Sequence, residues 1–119
     1  MRKWLACLIN RLYLSVVKPL YGFKQYGPFE VTGVVTHMDG PQVDGDNTFD
    51  VRPDQIVTFA GIAWDRVHCE VTPCYPVDLS RLAVGVRVTV SGTRAYDPPH
   101  VDSAIANLEI HPVMKLEYL

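Results

Sequence analysis

Cysteine is scarce in this sequence, which contains only Cys7, Cys69 and Cys74 among its 119 residues. An odd and widely spaced set cannot form the fully paired framework of many small secreted domains. A Cys69–Cys74 disulfide is conceivable, but nothing in the spacing favours it, and zinc binding by the two thiols with His68 would need an arbitrary fourth ligand. We therefore expect Cys69 to be a buried thiol, and the chain to reside in a reducing, cytoplasmic compartment.

Long apolar runs are also missing. No stretch approaches the roughly 20 apolar residues that a membrane-spanning helix needs. The first ten residues, MRKWLACLIN, have the basic start of a signal peptide, but the apolar run ends at Asn10-Arg11 and no small-residue cleavage pattern follows. We expect this segment to remain on the mature protein, which would be cytoplasmic or peripheral to a membrane.

Familiar catalytic motifs are absent as well. The sequence has no glycine-rich phosphate loop, no nucleophile elbow and no dinucleotide fingerprint. The segment Asp44-Gly45-Asp46-Asn47 is similar to the start of a calcium loop, but Asp50 is misplaced and the glutamate at the twelfth position is missing. A turn is the better interpretation. These absences favour a binding module over an enzyme.

Charge is unevenly distributed along a chain whose net charge is only −2. Residues 1–28 contain five basic and no acidic residues, which gives +5, whereas residues 29–119 contain six basic and thirteen acidic residues, which gives −7. With 48% hydrophobic residues, a chain of this length can form one globular core. The basic segment predicts either an anionic partner or docking on the acidic domain.

Helical periodicity predicts an amphipathic helix at the start of the chain. The residues on its apolar face are Leu5, Leu8, Ile9, Leu12, Tyr13 and Val16. Pro19 predicts that the helix ends at Lys18, and Gly22 with Gly27-Pro28 predicts a linker up to residue 28. The apolar face either packs on the protein itself, mediates self-association, or lies in a membrane interface with Trp4 near the headgroups. In the last case residues 1–24 would contact a membrane surface or a protein partner.

From Phe29 onward, short runs alternate apolar and polar residues with the period of β-strands. The predicted strands cover residues 29–36, 48–52, 67–72, 85–96 and 105–113. Residues 53–65 form a longer connection without clear alternation. Residues 75–84 predict a loop and a short helix between the third and fourth strands, and the last six residues, MKLEYL, predict a tail.

The most informative stretch is Val84 to Tyr96, where Val86, Val88 and Val90 alternate with polar residues, Gly85 opens the strand and Gly92 marks a position at which a barrel strand can bend. Together with the order strand, strand, strand, short helix, strand, strand, it resembles the oligonucleotide/oligosaccharide-binding (OB) fold. The resemblance covers residues 29–113. It implies an all-β, five-stranded Greek-key barrel in a domain of residues 29–119, preceded by the helix and linker of residues 1–28.

Two further segments, residues 44–49 and the Glu-Ile-His-Pro sequence of residues 109–112, are similar to segments of uncharacterised bacterial domains that are OB-like. In such domains an aspartate and a histidine commonly precede the final strand, as Asp97 and His100 do here. This chain departs from them by the extra segment of residues 101–106. The similarity therefore implies a fold and a candidate surface, without a known activity.

The OB resemblance implies single-stranded nucleic acid as the leading ligand class. Aromatic side chains would stack on bases and basic side chains would follow phosphates. The candidate residues are Arg52, Trp64, Arg66, His68 and Tyr96. Against this interpretation, the loop between the first two strands contributes Asp39, Asp44 and Asp46, which would repel phosphates.

A second constellation consists of His68 and Glu70 on one side of the third predicted strand and Glu109 and His111 on one side of the fifth. These strands are neighbours in an OB barrel, so the four side chains are expected to converge on one exterior patch, which Asp97 and His100 would join. Imidazoles with carboxylates suit a divalent metal such as zinc or manganese. A metal-dependent hydrolase is therefore the alternative function, and cross-strand polar pairs on a solvated face are the structural alternative.

Overall fold

The computed structural model describes residues 3–20, 22–40, 47–99 and 105–119. The N-terminal helix (residues 3–20) consists of α1 (Lys3–Leu12), a π-helical turn (Tyr13–Val17) and α2 (Lys18–Leu20). The strands are β1 (Lys24–Asp39), β2 (Asn47–Pro53), β3 (Val57–Phe59), β4 (Ile62–Trp64), β5 (Val67–Val71), β6 (Arg87–Asp97) and β7 (Asn107–Tyr118). The prediction of a mostly β fold with an N-terminal helix is confirmed.

Five strands close into a ring in the order β1-β2-β5-β7-β6, and β6 pairs back with β1. All neighbours are antiparallel except β5 and β7, which are parallel. Each predicted strand overlaps one of the five. Their inward residues form a core rich in β-branched side chains, which favour strands. The core residues are Val31, Val35, Phe49, Val51, Val67, Cys69, Val71, Val88, Val90, Leu108, Ile110 and Val113.

Two glycines allow strands to approach each other closely. A Cβ atom on Gly33 would collide with the carbonyl oxygen of Arg52 in β2. A Cβ atom on Gly92 would collide with the carbonyl oxygen of Pro112 and lie 2.7 Å from Cγ2 of Ile110. The pairing of β6 with β7 shifts on both sides of Gly92, so this glycine marks the bend that the sequence predicts.

The segment between β5 and β6 differs from the prediction, because residues 75–84 form turns and no helix. The backbone N–H of Ser80 donates to Oδ1 of Asp78 at 2.9 Å, a local bond that competes with helical hydrogen bonding. Leu79 and Leu82 pack against the core from this irregular segment. The connection of residues 53–65, which shows no alternation, forms the β3–β4 hairpin.

The first and last strands of the chain, β1 and β7, are longer than predicted. Strand β1 begins inside the expected linker, because Lys24 and Gln25 pair with Tyr96 and Ala95 of β6. A shift in pairing between Gln25 and Pro28 accommodates the Gly27-Pro28 dipeptide. At the other end, most of the expected tail continues β7, since residues 115–118 pair with residues 88–91.

The N-terminal helix continues past Pro19 to Leu20, beyond the predicted end at Lys18. Lys18 keeps helical angles (φ −58°, ψ −44°), and its N–H donates to the carbonyl of Tyr13, five residues earlier. This wider π-helical turn lies immediately before the proline, whose ring would clash with a regular α-helical turn. The helix therefore accommodates the proline without ending.

Candidate metal centre

A cluster of ionisable side chains lies on the outer side of β2, β5, β7 and β6. Its members, here called the acid–histidine cluster, are Asp50, His68, Glu70, Asp97, Glu109 and His111. They alternate with core residues along their strands, and the pairing sets Asp50 beside His68 and His68 beside Glu109. The structure thus brings together the two histidines and two glutamates singled out in the sequence.

The four side chains converge on the outer side of the barrel as predicted, but the N-terminal helix and Phe23 cover the cluster, so the alternative of polar pairs on a solvated face is not what is found. Glu109 is 1% exposed and His111 is fully buried. Nζ of Lys18 lies 3.7 Å from Oδ2 of Asp97, and the ring of Phe23 packs edge-on against His111 at 5.3 Å. The cluster residues point outward from the barrel. They are buried because the N-terminal helix and Phe23 form a second layer over them.

His68 is held between two carboxylates. Its Nδ1 lies 2.6 Å from Oδ1 of Asp50, while its Nε2 lies 3.6 Å from Oε1 of Glu70. Burial alone would lower the pKa of His68, but hydrogen bonding to Asp50 and the negative charge of Glu70 outweigh it and raise the pKa to about 10. The surroundings of this imidazole therefore favour a positive charge, and a cation that binds Nε2 has to displace the proton from that nitrogen.

Glu70 and Glu109 share contacts with His111. Nδ1 of His111 contacts Oε2 of Glu70 and lies 3.2 Å from Oε1 of Glu109. Burial opposes ionisation of Glu70, but the charge of His111 outweighs burial and holds the pKa of Glu70 well below its usual range. Burial and the nearby Glu70 charge raise the pKa of Glu109. Two carboxyl groups buried this close together disfavour the ionisation of both at once.

Three cluster residues have the spacing of metal ligands. One ligand atom each from His68, Glu70 and Glu109 lies within 4.8 Å of the others. Two ligands bound at about 2.1 Å to a tetrahedral ion are about 3.4 Å apart. The 3.6 Å between His68 Nε2 and Glu70 Oε1 is close to this value and too long for a good hydrogen bond.

The cysteines form a disulfide that the sequence did not predict. Cys7 of α1 is bonded to Cys74, which follows β5, and Cys69 is the free, buried cysteine. The periodicity of α1 does not reveal which strand end its cysteine meets. The expectation of a cytoplasmic location rested on unpaired cysteines. The Cys7–Cys74 disulfide removes this argument, because disulfides are typical of oxidising compartments.

A cleft of about 480 Å³ lies between the N-terminal helix and the barrel. Asn10, Arg11, Leu14 and Ser15 line it on the helix side, and the barrel contributes Gln25, Thr72, Cys74, Tyr75, Thr93, Pro112 and Met114. Thr72 lies two residues after Glu70 in the chain, and Pro112 directly follows His111. The cleft therefore borders the part of the sheet that carries the cluster.

Among the candidate nucleic-acid residues, Arg52 and Arg66 are both exposed, and Nη2 of Arg66 donates to Oδ1 of Asn107 at 3.0 Å. The rings of Trp64 and Tyr96 pack against each other, 6.2 Å apart, and both are half-buried. Trp64 also donates through Nε1 to the carbonyl of Phe59 within the β3–β4 hairpin. His100 and the acidic residues Asp44 and Asp46 lie outside the described residues.

Sequence reasoning missed two residues of the site. Asp50 alternates with Phe49 and Val51, so its outward position next to β5 was available from the strand pairing of an OB barrel. Lys18 had no such indication, because the periodicity of a helix does not show which residues meet a sheet. Its contacts with the cluster depend entirely on how the helix packs.

No protein-family model matches the chain, and no curated protein is significantly similar to it. Within residues 3–20, 22–40, 47–99 and 105–119, no helix is both long and apolar enough to cross a membrane.

Proposed function

We propose that this protein is a divalent-metal-binding module built on an OB-like barrel, with His68, Glu70 and Glu109 as the ligands. The observation that carries the proposal is the 3.6 Å separation between Nε2 of His68 and Oε1 of Glu70, which suits two ligands of one ion. The closed order β1-β2-β5-β7-β6 with its parallel β5–β7 pair supports the OB-like assignment. The missing helix between β5 and β6 is a departure from that fold.

The surroundings of the three ligands have the form of an outer coordination shell. Asp50 accepts from Nδ1 of His68, which directs Nε2 of the same ring toward Glu70. A carboxylate in this position fixes the orientation and tautomer of a metal-binding histidine. His111 contacts both glutamates and acts as a second positioning residue. One imidazole with two carboxylates suits zinc or manganese.

Calorimetric titration of the EDTA-treated, full-length oxidised protein with Zn²⁺ and Mn²⁺ tests this proposal. We expect binding of one ion per chain. Glu70→Gln should weaken it by more than about 100-fold, and Asp50→Asn by about 10- to 100-fold, the usual effect of losing an outer-shell partner. Circular dichroism checks that each variant is folded.

Glu117→Gln is the matched control, because Glu117 is an exposed glutamate of the same strand as Glu109. It should bind the ion as the unmodified protein does. Absence of binding by the unmodified protein would overturn the proposal, as would equal affinity in the folded Glu70→Gln and Glu117→Gln variants.

The cleft favours a second candidate function, metal-dependent hydrolysis. Three protein ligands leave a coordination position for water, the arrangement of catalytic rather than structural zinc sites. Thr72 and Pro112 place the cleft beside the proposed ligands. Hydrolysis of a model phosphodiester or ester that requires Zn²⁺ or Mn²⁺ and is lost in Glu70→Gln would support this function.

Binding of single-stranded nucleic acid stays a prediction. The geometry favours it less, because the outer side of β2 and β5 carries the buried acidic residues Asp50 and Glu70. Phosphates are repelled by such a surface. Trp64 and Tyr96 also pack on each other, which leaves their faces less available for stacking on bases.

A further inference from the structure

The N-terminal helix presents its apolar side chains to solvent. Between 37% and 81% of the surface of each is exposed, and the residues are Trp4, Leu5, Leu8, Ile9, Leu12, Val16 and Leu20. They include five of the six residues whose periodicity predicts the apolar face. We call this set the outer helix face. Such a contiguous apolar surface is unusual on a soluble monomer and indicates an interaction site.

The opposite side of the helix is attached to the barrel through polar and covalent contacts. Cys7 is bonded to Cys74, and Lys18 forms an ion pair with Asp97. Asn10, which lies between them on the same side, is 1% exposed. Turning the apolar residues inward would break the disulfide and the ion pair. The outer helix face therefore cannot be buried against the protein's own core.

The charge around the outer helix face is positive. Residues 1–28 carry five basic and no acidic residues, whereas the rest of the chain carries a net charge of −7. Arg11, beside the outer helix face, and Lys24, just after the helix, are exposed. An anionic surface would therefore attract this side of the molecule and repel the remainder, which orients the protein with the helix toward the surface.

We propose that the outer helix face docks on an anionic lipid bilayer, with the helix lying in the plane of the interface. Apolar side chains of such helices insert at the boundary between headgroups and acyl chains, and nearby basic residues contact anionic lipids. Trp4 suits the headgroup level, where its ring can be half-immersed. A second copy of the chain is a poorer occupant, because pairing two outer helix faces would bring the exposed basic residues Arg11 and Lys24 of both copies together.

Vesicle co-sedimentation of the full-length, oxidised protein tests this proposal. Vesicles of phosphatidylcholine with 30% phosphatidylglycerol are compared with vesicles of phosphatidylcholine alone. We expect affinity for the anionic vesicles to be at least about tenfold higher. A Leu8→Glu/Leu12→Glu double variant should lose at least about tenfold in affinity, because two carboxylates would enter the interface.

Ile56→Glu is the matched control, since Ile56 is 68% exposed but lies outside the N-terminal helix. It should bind vesicles like the unmodified protein. All replaced side chains are exposed, so unchanged melting temperatures should show that the variants are folded. Binding should also persist in EDTA, which separates this proposal from the metal site.

Three results would overturn the proposal. The first is no vesicle binding by the unmodified protein above background. The second is equal vesicle affinity of the double variant and Ile56→Glu. The third is a dimer, found by light scattering, that forms in the unmodified protein and in Ile56→Glu but not in the double variant, with no vesicle binding. The outer helix face would then be occupied by a second copy of the chain.

Discussion

Replacing Lys18 with methionine is expected to lower the free energy of unfolding by about 3–5 kcal/mol, the usual cost of removing one partner of a buried ion pair. The Lys18 side chain is only 13% exposed and lies 3.7 Å from Asp97. Burial would lower its pKa, but the charges of Glu70, Glu109 and Asp97 outweigh burial and raise the pKa. Without the ammonium, three buried carboxyl groups lose a counter-charge.

Urea denaturation followed by circular dichroism measures this effect. Lys24→Met is the control, because Lys24 is an exposed lysine six residues later, at the start of β1. Lys18→Arg, which keeps the charge, should retain most of the stability. Equal denaturation midpoints for Lys18→Met and Lys24→Met would show that Lys18 does not stabilise the cluster.

Metal ions should partly reverse the loss in Lys18→Met. A bound divalent ion supplies positive charge to the same carboxylates, and any ion that binds only the folded state raises its stability. Saturating Zn²⁺ or Mn²⁺ should therefore increase the midpoint more in Lys18→Met than in the unmodified protein. An increase no larger than in the unmodified protein would mean that the lysine and the ion act on different groups.

The barrel could be predicted because its strands obey simple local rules. Val86, Val88 and Val90 alternate with polar residues, and Gly92 lies where a side chain would collide with the neighbouring strand. The proximity of His68, Glu70, Glu109 and His111 followed from strand pairing alone. Each of these inferences needs only the period of a strand and the order of strands in the barrel.

The layer over the cluster could not be predicted in the same way. Helical periodicity identifies an apolar face, and the usual inference is that this face is buried. Here the buried side contains Asn10 and is fixed by Cys7 and Lys18, whose partners lie far along the chain. Local sequence carries no record of such long-range pairings. The contacts of Cys7 and Lys18 set how the helix packs. They therefore cause both the exposure of the outer helix face and the burial of the cluster.

Cys7→Ser is expected to destabilise the protein by about 4 kcal/mol. The Cys7–Cys74 disulfide closes a loop with a sequence separation of 67 residues, and a cross-link over such a loop restricts the unfolded chain by about this amount. It also holds the helix over the acid–histidine cluster. Loss of the bond should therefore lower the urea midpoint and increase hydrogen exchange in the N-terminal helix.

Cys74→Ser and the Cys7→Ser/Cys74→Ser double variant provide the control, because all three lack the same bond. Their losses in unfolding free energy should be nearly equal, whereas two independent contributions would add. Additive losses, or a Cys7→Ser midpoint equal to that of the unmodified oxidised protein, would show that the disulfide does not stabilise the fold. Faster exchange in residues 107–113 of Cys7→Ser would indicate that release of the helix exposes Glu109 and His111, and that the disulfide controls access to the acid–histidine cluster.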